Sequence, residues 1–257
     1  MKINLIVLVL AFMLIAFPAS AEETDKYDSA LEIIKDEIQL KIEMTHMVTF
    51  QGPTKITFSF PPGMKQSESR GQHAWYEPNN RTLYVHPSYK YMVFTDDFTE
   101  DMTPIIRHEL GQALTHQISL ELKQDIFHRE IDYAPEQFSK EWESLFLRMT
   151  ITEGIGRVIE RVGNSPSKKY CDFENYEPGV NFYVPYKKED LSWDDPNMMV
   201  TMAYEGGYCT ANPIVQKYGI KGIEYMLLNP IKMSEWNLRS ALREYLDTAM
   251  KALATES

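Results

Sequence analysis

Residues 141–162, EWESLFLRMTITEGIGRVIERV, are apolar along two opposite sides when wound at helical pitch. Trp142, Phe146, Met149 and Gly156 form one stripe; Leu147, Ile151, Ile155 and Val158 form the other. A helix of that pattern must be covered on both sides, so its fold packs several elements around it. The chain can supply them, since 44% of its 257 residues are hydrophobic. Glu153 lies on the first stripe, among Trp, Phe and Met side chains. A carboxylate buried there needs a partner. A metal ion would serve, and so would a basic side chain such as Arg107 or Arg157. Gly154 and Gly156 leave room for another helix to come close.

The elements before this helix are of mixed type. Residues 27–47 place Leu31, Ile34, Ile38 and Ile42 at helical spacing. Lys55–Phe60 alternates and is rich in β-formers, which predicts a strand stopped by Pro61-Pro62-Gly63. Residues 73–77 and 81–86 flank Pro78-Asn79-Asn80 and read as a hairpin. Beyond about residue 100 the pattern is helical, through 141–162, 197–219 and a closing part to Ala254. One helix, a small sheet and then helices predict an α+β domain.

Residues 1–21, MKINLIVLVLAFMLIAFPASA, have the form of a secretory signal peptide: Lys2, an apolar run of 15 residues, then Ala19-Ser20-Ala21. The run is shorter than the ~20 residues that span a bilayer. The domain is therefore expected over 22–257, in a protein secreted or kept in a periplasm. Cys171 and Cys209 are the only cysteines, and either a disulfide or two buried thiols is compatible with that count. The formal charge of −11, from 37 acidic and 26 basic residues, argues against a nucleic-acid partner bound through phosphate neutralisation.

Residues 103–118, TPIIRHELGQALTHQI, hold the chemistry. Thr103 is the predicted N-cap and Pro104 the first helical residue. Ile106, Leu110, Ala113, Leu114 and Ile118 make one face. His108, Glu109, Gln112, Thr115, His116 and Ser119 gather on the other. His108-Glu109-Leu110-Gly111-Gln112 is one residue from H-E-x-x-H, whose two histidines bind zinc from one helix face and whose Glu is the general base. Gln112 stands where the second His would be, and a neutral amide is a poor zinc ligand beside imidazole. His116 lies ~12 Å along a straight helix from His108, too far to share an ion with it. It is placed to line a cleft or to bond Gln112. The plain alternative is an amphipathic helix whose polar face is wet.

HELGQALTH at 108–116 and Thr152-Glu153-Gly154-Ile155-Gly156 together resemble the gluzincin branch of the zincin metallopeptidases, in the MA-like clan. The resemblance covers roughly residues 55–230, in organisation more than in detail. It implies a zincin-like single domain: a small β-sheet followed by a mainly helical part with the active-site helix. It implies zinc held by His108, Gln112 and Glu153, with Glu109 as general base. Residues 81–86 would be the edge strand that binds extended peptide or protein substrate. Tyr204, or Tyr208, would donate to the oxyanion, although either tyrosine also reads as a packing aromatic. Two other readings stand beside a peptidase: a zincin-fold protein that binds a partner without cleaving it, and an unrelated α+β interaction protein with a chance motif.

Overall fold

A computed structural model describes residues 25–66, 72–124, 139–161, 205–233 and 238–255. The signal segment, Tyr204 and Cys171 lie outside the described residues. The first helix, α1 (Asp25–His46), buries Leu31, Ile34, Ile38 and Ile42, the stripe its sequence spacing predicts. Three short strands follow, β1 (Lys55–Phe58), β2 (Ala74–Glu77) and β3 (Thr82–Val85). After a 3-10 turn come α2 (Phe98–Glu121), α3 (Lys140–Glu160), α4 (Gly207–Tyr218), α5 (Ile220–Leu228) and α6 (Leu238–Thr255). The described residues thus form an α+β fold, mostly helical, with one three-stranded sheet.

The sheet order is β1-β3-β2, with β1 parallel and β2 antiparallel to β3. This corrects one expectation: residues 81–86 do not form an edge strand. β3 is central, and all four of its residues are buried. Its place follows from Leu83 and Val85, which go into the core at full burial while both flanks pair. The edges are β1 and β2, and each gives outward N–H groups to helix carboxylates. Ile56 N–H donates to Glu32 at 3.2 Å and Phe58 N–H to Asp28 at 3.1 Å. On the other edge Tyr76 N–H donates to Glu109 at 2.7 Å. Both edges are thereby blunted against pairing with another chain.

α2 begins five residues before the predicted cap. Phe98 and Met102 are buried, and that burial continues the helix N-terminally past Thr103. Thr103 caps nothing; its hydroxyl donates to Thr99 O at 2.6 Å, and Pro104 stands inside the helix. Burial of the extra turn outweighs the one backbone hydrogen bond Pro104 cannot donate.

The second side of α2 is not wet either. His108, Glu109, Thr115, His116 and Ser119 are all buried, so the helix is enclosed by the sheet on one side and α3 on another. Glycine makes the helical side of that enclosure close. A Cβ on Gly111 would come within 3.0 Å of Gly156 Cα, and one on Gly154 within 2.3 Å of the Gly207 carbonyl carbon. The room that Gly154 and Gly156 promise in sequence is filled by α4 and α2 respectively. Cys209, buried on α4, is disulfide-bonded.

Candidate functional site

α2 and α3 bring their polar residues together at the glycine contact. His108 Nε2 lies 3.1 Å from Glu153 Oε2. The Gln112 amide nitrogen lies 3.0 Å from the same oxygen and 3.3 Å from His108 Nε2. Three side chains that are 4 and 41 residues or more apart in sequence thus meet as a near-equilateral triangle. Helical geometry sets two corners, because His108 and Gln112 are one turn apart on one face. Gly156 admits the third: a Cβ there would stand 2.9 Å from His108 Cε1, inside the ring's own space.

Among the described residues Glu153 pairs with no arginine. Arg107 donates instead to the Glu160 backbone carbonyl at 3.3 Å, and Arg157 pairs with the Glu160 carboxylate at 2.9 Å. Glu160 also comes within 3.3 Å of His108 Nδ1. Arg157 and Arg161 then reach Glu205, at 3.6 and 3.2 Å. His108 is thereby clamped between two carboxylates, one on each ring nitrogen. Glu160 is the residue the sequence reading missed. Its signal was present, since Glu153 and Glu160 are seven residues apart and so share one face of α3.

The electrostatics follow from that clamp. Burial works against a charged imidazole at His108. The hydrogen bonds to Glu153 and Glu160, with the charges of Glu109 and Glu153, outweigh it and raise its pKa to about 10. Glu160 moves the opposite way. Burial alone would raise it, but the bond to His108 and the charge of Arg157 hold it below the ordinary carboxylate value. Glu109 is raised to about 7, first by burial, against the pull of the His108 charge and with the push of Glu153. The His108 ring thus faces Glu153 at Nε2 and Glu160 at Nδ1, a setting that favours its charged form, while Gln112 donates to Glu153.

Among the described residues no group of three or more His, Cys, Asp or Glu side chains is arranged to hold a metal ion. The third corner here is an amide. Turned end for end, the Gln112 side chain presents its oxygen at the same corner. Ligands at ~2.1 Å around a tetrahedral ion stand about 3.4 Å apart. The observed 3.0–3.3 Å triangle is slightly tighter than that footprint. One imidazole, one carboxylate and one amide oxygen would be the donors offered to an ion, and His108 would first have to lose its proton.

The other candidates fall elsewhere. His116 faces the sheet, where its Nδ1 meets the Tyr76 hydroxyl at 2.9 Å. Tyr208 is buried, with the Arg161 guanidinium 4.7 Å from its ring centre, and packs as part of the core. Among the described residues no helix is long and apolar enough to cross a membrane. Compared with protein-family models, with curated proteins and with solved structures, the chain matches none.

Proposed function

We propose that this protein is an exported, zinc-dependent peptidase of zincin-like fold in which Gln112 takes the place of one histidine ligand. The observation that carries the reading is the convergence of His108, Gln112 and Glu153 on one point, with Glu109 beside it. His108, Gln112 and Glu153 would hold the ion, and Glu160 would orient His108 through Nδ1, as outer carboxylates do for ligating histidines. When bound, the ion supplies Lewis acidity and a water of lowered pKa. Glu109 keeps Oε2 on the Tyr76 N–H, and its carboxyl exchanges a proton near neutral pH, the property required of a general base.

One observation favours a second reading, a metal-free binding protein. The His108 ring, Glu153 and the Gln112 amide already contact one another without an ion, with Glu160 at 3.3 Å from His108 Nδ1.

Elemental analysis of the purified protein, beside its Gln112→His variant, separates the two. About one zinc per chain in the wild type, with hydrolysis of a peptide library, is the expected result. The variant should bind zinc at least tenfold more tightly. Zinc in the variant alone, with no hydrolysis by the wild type, would leave the binding protein as the reading. No zinc in either would remove the shared site.

A further inference from the structure

We infer that the cavity between α2 and residues 51–52, lined by Tyr76, Arg81 and His116, receives the C-terminal carboxylate of a peptide. On this view the enzyme trims chain ends. The inference takes its substrate class from the peptidase reading, and its first test is binding without cleavage.

The cavity adjoins the chemistry. Ala113 lines it, and Ala113 is one turn, ~6 Å of rise, beyond Glu109 along α2. Tyr76 belongs to both places. Its backbone N–H holds Glu109, while its hydroxyl meets buried His116 within the cavity lining. An extended residue spans ~3.3 Å, so about two residues bridge one helical turn.

The lining has the chemistry for a carboxylate. Arg81 spends one donor on Gly52 O, at 2.5 Å, and approaches Gln51 Oε1 at 3.5 Å. Both acceptors are neutral, and among the described residues no carboxylate lies within ion-pair distance of Arg81. A guanidinium offers five N–H donors in a planar fork suited to a carboxylate. The Tyr76 hydroxyl lies under the influence of that same guanidinium. The wall is fixed: Gln117 accepts from Gln51 N–H and donates to Thr49 O, each at 2.9 Å. Glu121, also held by Gln117, stands at the exposed rim, and its charge opposes an anion there, so the attraction must come from Arg81.

Size selects a chain end. The cavity is about 150 Å³. A space of that order accepts a group as large as benzene. It takes a carboxylate and one small side chain.

The test is calorimetry on the purified protein stripped of metal by chelation, so that nothing is cleaved. The probes are N-acetyl-trialanine, its C-terminal amide, and an amidated peptide of the same length ending in glutamate. The free acid should bind at least tenfold more tightly than either amide. Arg81→Met should erase that preference and Arg81→Lys keep part of it. Tyr76→Phe, which removes one oxygen only, should weaken it several-fold. Equal binding of acid and amide overturns the inference. So does a glutamate amide that binds like the free acid, or a preference unchanged in a folded Arg81→Met or Tyr76→Phe variant. With metal restored, internal cleavage at equal rates in acid and amide peptides would overturn the cavity's role and leave the peptidase reading intact. Acid preference with no cleavage under any metal would do the reverse.

Discussion

Both edges of the sheet are sealed by helix carboxylates, yet the two seals sit in different surroundings. On β1 the acceptors are Asp28 and Glu32, half-buried on α1, and Glu32 also pairs with Lys35. On β2 the acceptor is Glu109, buried in the middle of the domain and hydrogen-bonded to Tyr76 N–H. Sealing an edge needs only a half-buried acceptor, as β1 shows. Burying a carboxylate for that purpose is unfavourable, and Glu109 accordingly stays protonated up to about pH 7. The two carboxylates therefore differ in burial and in proton affinity while making the same kind of edge contact.

Activity gives the largest expected difference between the two edges. Glu109→Gln and Asp28→Asn each keep an oxygen to accept the strand N–H. If peptide hydrolysis is found, Glu109→Gln should lower its kcat by about 10² to 10⁴, the usual contribution of a general base. Asp28→Asn should leave kcat within about twofold. Comparable rates in both variants would make the two carboxylates equivalent seals and end the distinction.

Packing comes next. The surroundings of Glu109 depend on α2 lying close against α3, and Gly111 is where they touch. A Cβ there would meet Ile159 Cβ at 2.9 Å and Gly156 Cα at 3.0 Å, so Gly111→Ala must push the helices apart. Overpacking of this kind costs about 2 to 3 kcal/mol. That is a fall in Tm of roughly 4–12 °C at this chain length. Zinc affinity should drop with it, because the His108–Glu153 contact spans the same gap. The β1 edge lies outside that contact, and amide exchange at Ile56 and Phe58 below the global unfolding limit should not change. An unshifted Tm would show that the helix contact is looser than the distances say.

These two regions were legible in the sequence to different degrees. The α2–α3 contact was largely readable. His108, Gln112 and Glu153 lie on predicted helix faces, and Gly154 and Gly156 announce a close neighbour. Helical periodicity carries that information within each segment. The sheet side was not readable. Strand order depends on which of three short segments pairs twice, and four-residue strands do not encode that locally. The hairpin was foreseen, but β3 was assigned to the edge that β2 occupies. Glu109 bonding to Tyr76 followed that error out of sight, since the contact exists only once β2 is outermost. The early start of α2 was hidden by Thr103-Pro104, a strong local start signal that the burial of Phe98 and Met102 overrides.

The smallest expected effect is on stability against pH, and it isolates the burial of Glu109 from its chemistry. An unperturbed Glu releases its proton near 4.5, whereas folded Glu109 holds it to about 7. Between those values the folded protein binds a proton that the unfolded chain has lost. Stability must therefore fall as pH rises through this window. His108 has the same sign over a higher one: its raised value keeps a proton on the fold from about 6.5 to about 10, so its contribution is complete at low pH and lost on the alkaline side. Glu109→Gln cannot titrate. Urea unfolding of this variant between pH 5 and 7 should lose the Glu109 part of the slope, on the order of 1 to 2 kcal/mol over the window, and keep the His108 decline above it. Asp28→Asn should leave the wild-type slope in place, because its edge of the sheet buries no such group. A Glu109→Gln curve parallel to wild type from pH 5 to 7 would mean that water reaches the carboxyl in solution, and the two edges of the sheet would then be sealed on equal terms.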